Sequence, residues 1–161
     1  MTNYQNYTLI KYLNALSLRS PVPGGGSAAA LAAAFGAALI SMVANYSINP
    51  NQSQILRKKI MTVLRQSEIL RKKFLELVDL DAQAYLQVVK TRHATAKEKK
   101  AALKEAKRIP QEVCRSVYKA IQLTPALVRY GNKNLFSDIE IAVELLLAAF
   151  KSAQVNVKIN Q

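Results

Sequence analysis

What this chain lacks narrows it first. A single cysteine, Cys114, excludes an intramolecular disulfide, and together with one histidine, His93, it cannot supply a common zinc-binding set. Acidic residues are scarce: 10 Asp and Glu stand against 23 Lys and Arg, a formal charge of +13. That imbalance points to polyanionic partners, whether nucleic acid, an acidic membrane surface or a small multiply anionic substrate. Aromatic residues are absent from the Lys-rich stretch Lys97–Arg108. Single-strand nucleic-acid binders interleave aromatics with their cations, so nucleic acid is the disfavoured partner. No stretch alternates polar and apolar residues between turns, which argues against a sheet. The start, Met1-Thr2-Asn3-Tyr4, has no basic cluster leading into an apolar stretch. No signal peptide is therefore expected, and the expected compartment is cytoplasmic. Only one apolar run approaches membrane-spanning length, and it is built of Ala and Gly more than of Leu, Ile and Phe, so no membrane is expected.

That run is what the rest of the chain is organised around. Pro23-Gly24-Gly25-Gly26-Ser27 empties into Ala28 to Ala44. Three glycines leave a loop without Cβ atoms, free to take positive φ and open to a ligand against the backbone. Ser27 is a good N-cap, and the unpaired N–H groups of a helix start suit a carboxylate or another electron-rich group. The alternative is a Gly-rich turn before a close-packed helix. A P-loop is excluded, since no Gly-Lys-Ser/Thr follows.

Helical spacing accounts for the remainder. A short helix is expected over about 5–18, then the Ala-rich helix from Ser27 to about Tyr46 or Ser47, stopped before Pro50. A long third helix runs from about Gln52 to Val89 or Lys90. Thr95 with Glu98 forms a capping box for a helix over about 96–108. Pro110 suits the first turn of a further helix, which Pro125 kinks or interrupts and Gly131-Asn132-Lys133-Asn134 ends. Ser137 with Glu140 reads as a second capping box, opening a last helix through Phe150. The expected fold is all-α: a single domain over 1–161, a bundle of about six helices with a central Ala-rich helix. At 161 residues it is large enough for a core without staples.

Asp81 is the most informative candidate. Phe74, Leu77, Val78, Tyr85 and Val88 flank it at spacings of three, four and seven, placing a carboxylate within an apolar stripe. Burial must be compensated, and desolvation would raise its pKa toward the range a general acid/base needs. The alternative is a structural carboxylate that caps a neighbouring helix or pairs with an arginine. Asp138 falls in the first turn of the last helix, where negative charge is favourable in any case. Asn45, Asn134 and Asn156 stand near helix ends as caps. His93 lies in a charged, exposed linker, and Cys114 reads as core.

Together, Pro23-Gly24-Gly25-Gly26-Ser27, Met42-Val43-Ala44-Asn45, Asp81-Ala82-Gln83-Ala84-Tyr85, Ile109-Pro110-Gln111-Glu112-Val113, Gly131-Asn132, Ser137-Asp138 and Asn156-Val157 occur in an order and spacing that resemble the cyclodeaminase/cyclohydrolase family over nearly the whole chain. That family comprises the cyclodeaminase domain of formiminotransferase-cyclodeaminase and stand-alone methenyltetrahydrofolate cyclohydrolases. The resemblance implies a helical homodimer binding tetrahydrofolate near its interface, with or without a polyglutamate tail, and no metal or redox cofactor. It implies closure of 5-formiminotetrahydrofolate to 5,10-methenyltetrahydrofolate with loss of ammonia. The alternatives are hydration of the methenyl bridge to 10-formyltetrahydrofolate, or a member that binds folate or a partner without catalysis. On the family's Asp-x-x-Ala-Tyr pattern, Asp81 is the expected acid/base. Gly24, Gly25, Gly26, Ser27, Asn45, Tyr85, Ser137 and Asp138 are the expected substrate contacts. Two departures stand out. Ser47-Ile48-Asn49-Pro50-Asn51-Gln52 replaces the family's lysine-rich segment after Asn45, and the connector Thr91 to Thr95 is short and lacks its usual proline.

Overall fold

The computed structural model describes residues 3–160. Six α-helices follow one another: α1 (Leu9–Ser17), α2 (Gly25–Tyr46), α3 (Gln54–Lys90), α4 (Ala96–Ile121), α5 (Thr124–Tyr130) and α6 (Phe136–Ile159), with single 3₁₀ turns at Tyr4–Asn6, Thr91–His93 and Lys133–Leu135. Among the described residues there is no strand.

Cross-helix contacts fix the arrangement. Ser41 and Ser67 hydroxyls meet at 2.8 Å between α2 and α3, and Lys73 pairs with Glu112 between α3 and α4. The Cys114 thiol points at the Phe150 carbonyl between α4 and α6, and Gly36 of α2 abuts Leu146 of α6. Residue numbers run in opposite senses across each pair, so α2, α3, α4 and α6 form a ring of alternating up and down helices, a four-helix bundle. Small residues make α2 the closely approached member: Ala30, Ala33, Ala37 and Ala44 are fully buried. A Cβ at Gly36 would stand 2.7 Å from Leu146 Cγ and 3.0 Å from the Ala142 carbonyl. The bare backbone there is what lets α6 lie so close. Phe74, Ile40, Ile60, Ile109 and Leu146 fill the space between the helices.

By length and composition α2 could also cross a bilayer, but 61% of its most apolar stretch is buried inside the protein. Its outward face, Leu31, Phe35, Ala38, Leu39, Met42 and Tyr46, is only partly covered or exposed.

Several boundaries differ from the sequence expectation, each for a physical reason. The first helix divides at Thr8, whose hydroxyl accepts from Lys11 N–H at 3.2 Å and caps α1. Ser27 is not the N-cap of α2: Gly24 occupies that position and Ser27 lies in the first turn, wholly buried. None of the glycines takes positive φ. Helix α4 is continuous through Pro110, where a new helix start was expected. Proline deprives the Ala106 carbonyl, four residues back, of its partner; the Asn160 side-chain amide from α6 donates to that carbonyl at 3.1 Å. Pro125 opens α5 instead of kinking its predecessor. No Ser137–Glu140 capping box forms, because the Lys133–Leu135 turn runs directly into α6 and leaves Ser137 inside the helix. The Thr95–Glu98 box is present in both halves.

Candidate active site

At the end of the bundle where α2 begins, a pocket of about 320 Å³ opens between α2, α3, α4 and α6. Gly24, Gly25 and Gly26 form its floor, and Asp81, Ala84, Tyr85 and Val88 of α3 form one wall. Ala106 of α4 faces them, with Asn156, Ile159 and Asn160 from the last turns of α6. The volume lies at the lower end of the range for small-molecule sites.

Asp81 is the chemical centre. Its carboxylate faces the first turn of α2, where the Ser27 N–H, one of the four that a helix start leaves without an internal partner, favours the ionised form. Burial pushes its carboxyl up from 3.8 to about 6, and the Ser27 N–H partly opposes that rise. Among the described residues lining the pocket there is no amine, guanidinium, imidazole or second carboxylate. The group therefore titrates near neutrality because it is desolvated rather than because a charge sits beside it. The carboxylate faces both the start of α2 at Gly26 and the pocket.

The glycines are required by space. A Cβ at Gly26 would lie 2.0 Å from Asp81 Oδ1, whereas nothing stands within 4 Å of a Cβ at Gly24 or Gly25. Ser27 does not face the pocket with its side chain. Its hydroxyl meets the Tyr12 phenol at 2.9 Å in a buried contact, and only its N–H turns toward Asp81. Tyr85 is 44% exposed at the rim.

Three expected substrate residues lie elsewhere. Asn45 is at the last turn of α2 and Ser137 and Asp138 at the first turn of α6. At 1.5 Å per helical residue, both places are about 27–28 Å from the Asp81 end of the bundle. Asn156, which sequence reads as a cap, lines the pocket instead. Two buried residues give no sequence signal of their own. Asp79, 5% exposed, accepts the Tyr4 N–H at 2.5 Å, and Tyr12, 4% exposed, reaches Ser27. Only tertiary proximity reveals them. Among the described residues no group of three His, Cys, Asp or Glu clusters as a metal site would need.

Known proteins resemble this chain in sequence and in fold. The family model described as formiminotransferase-cyclodeaminase matches residues 8–161. The methenyltetrahydrofolate cyclohydrolase of Methylorubrum extorquens is 33% identical over 165 residues, covering 96% of this chain and 79% of that protein. The mouse formimidoyltransferase-cyclodeaminase is 29% identical across 92% of this chain, which spans only 29% of that longer protein. In three dimensions, the crystal structure of formiminotetrahydrofolate cyclodeaminase from Thermotoga maritima superposes with a TM-score of 0.93. That match has 31% identity and covers 97% of this chain and 79% of the other. A family model matched over residues 8–161, with a relative 33% identical along almost the whole chain, places this protein in the formiminotransferase-cyclodeaminase family.

Proposed function

We propose that the protein closes 5-formiminotetrahydrofolate to 5,10-methenyltetrahydrofolate with release of ammonia, and that Asp81 is its general acid/base. The observation that carries this reading is the Asp81 carboxyl, raised to about 6 and opening onto a pocket. Ring closure forms a bond from N10 to the formimino carbon, after which the bond from that carbon to the exocyclic nitrogen breaks. N10 must lose a proton and the departing nitrogen must gain one. A single carboxylate within reach of both serves in turn as base and acid, and one titrating near neutrality does so with little penalty in either direction. The glycine floor admits a flat ring against the backbone, and Tyr85 offers an aromatic edge at the rim.

The cyclohydrolase direction is the second reading, and the 33% identity to the Methylorubrum extorquens enzyme supports it. There the Asp81 carboxylate takes a proton from the water attacking the methenyl carbon and delivers one to N5 as the bridge opens.

Two further features suit a folate. A groove of about 530 Å³ carrying Gln83, Gln87 and Lys90 shares Ala84 with the Asp81 pocket, a path for a glutamate tail. The outward apolar face of α2, continued by exposed Leu9, Ile10 and Leu13 of α1, suits a second copy of the chain. Asn45, Ser137 and Asp138, at the opposite end of the bundle, serve the Asp81 pocket only from such a copy.

The test follows the near-ultraviolet absorbance of the methenyl bridge, with 5-formiminotetrahydrofolate in one cuvette and 5,10-methenyltetrahydrofolate in another. A rise in the first above the uncatalysed rate supports the cyclodeaminase, and a fall in the second supports the cyclohydrolase. Asp81→Asn should abolish either signal while the variant still binds folate. Silence in both cuvettes with folded protein leaves a folate or partner binder without catalysis.

A further inference from the structure

Of the nine residues of α1 only Tyr12 is fully buried, with Ala15 and Leu16 partly buried against the core beside it. A phenol taken out of water needs a hydrogen-bond partner. Phe would fill the same space without that demand. The partner is Ser27, itself 0% exposed, at 2.9 Å. Ser27 stands between Gly26 and the run Ala28-Ala29-Ala30, and its own hydroxyl does not cap α2. The Tyr12 ring meets Tyr4 edge to face with centroids 6.1 Å apart, and the Tyr4 N–H is held by Asp79. The amino-terminal segment is thus fastened both to α3 and to the first turn of α2, at the residue whose N–H meets Asp81.

We propose that Tyr12 is a positioning residue for Asp81: its hydroxyl, bonded to Ser27, holds the first turn of α2 where the Ser27 N–H meets the Asp81 carboxylate. Tyr12 does not line the Asp81 pocket, so it acts through Ser27. The groups around the carboxylate are few. Tyr12 stands behind α2 and Tyr85 lies on the same helix, while α2, α4 and α6 present only Gly, Ala and Asn residues and one Ile to the pocket. No neighbouring charge competes with the Ser27 N–H for control of the group. An N–H that donates to a carboxylate favours its ionised form, so loosening that contact lets desolvation raise the carboxyl further.

The role in turnover rests on the function proposed above, but the central readout does not. The Asp81 side-chain carbon is followed by carbon-13 NMR during a pH titration, its signal assigned by loss in Asp81→Asn. The full chain is compared with Tyr12→Phe, Ser27→Ala and the double variant. The expected result is a midpoint about half a unit or more higher in each single variant. The double variant should move no further, since both substitutions break one contact. The matching kinetic signature is kcat lowered about 3- to 10-fold with KM little changed, and the pH–rate inflection displaced upward with the NMR midpoint. If Tyr12→Phe does not fold, Ser27→Ala alone carries the expectation. An unmoved midpoint in a folded single variant overturns the proposal, as do additive shifts. A moved midpoint in a protein that turns over neither folate keeps Tyr12 as the positioning residue and rejects the proposed reaction instead.

Discussion

A Cβ atom placed on Gly26 would stand 2.0 Å from Oδ1 of Asp81 and 2.5 Å from its Cγ. The carboxylate occupies the volume that any other residue at position 26 would claim. Gly26→Ala must therefore displace Asp81 or the first turn of α2, with an expected cost of about 1–3 kcal/mol and about a hundredfold or greater loss of turnover. Gly25→Ala is the control for stability. Its Cβ meets nothing within 4 Å, so its melting temperature should hold or rise slightly. Equal damage from both substitutions would refute the steric reading.

The raised carboxyl also predicts how stability varies with pH. Asp81 ionises near 3.8 in the unfolded chain and at about 6 in the folded one. Well below pH 3.8 both states hold the proton and nothing is lost. As pH rises through 6 the folded state must bear a buried charge, at up to about 3 kcal/mol. Asp81→Asn should therefore be more stable than the unsubstituted protein at pH 7.5 and no more stable at pH 3. Denaturant titrations at the two pH values measure the difference, and a difference that does not change with pH would rule out the shift.

Asn160→Ala removes the donor that serves the Ala106 carbonyl left unpaired by Pro110. A buried acceptor without a partner costs about 1–3 kcal/mol. The combination Pro110→Ala with Asn160→Ala should recover part of that, because an alanine at 110 restores a backbone N–H to the same carbonyl. Chemical denaturation of the four proteins of that cycle reads the coupling.

If the outward face of α2 seats a second copy, Phe35→Glu, at a side chain 45% exposed, should turn dimers into monomers. Sedimentation velocity distinguishes the two masses. A protein monomeric before substitution would dismiss the homodimer.

How far the sequence could be read depended on the range of the interaction. The Thr95–Glu98 box is settled within four residues, and both halves of it form. The setting of Asp81 was legible because helical spacing alone puts Leu77, Val78, Tyr85 and Val88 around it. Ser137 and Glu140 have the same local pattern as Thr95 and Glu98, but the preceding turn runs straight into α6 and removes the helix start they would cap. Pro110 misled for a related reason. What lets it sit mid-helix is an amide fifty residues away, which no local pattern announces. Tyr12 and Asp79 stayed silent because their partners, Ser27 and Tyr4, are joined to them only by packing.

The two walls of the pocket are fastened from opposite directions along the chain. Tyr4 holds α3 at Asp79, and Asn160 holds α4 at Ala106. Loss of either fastening would therefore loosen the walls around Asp81 before it disturbed the bundle's interior.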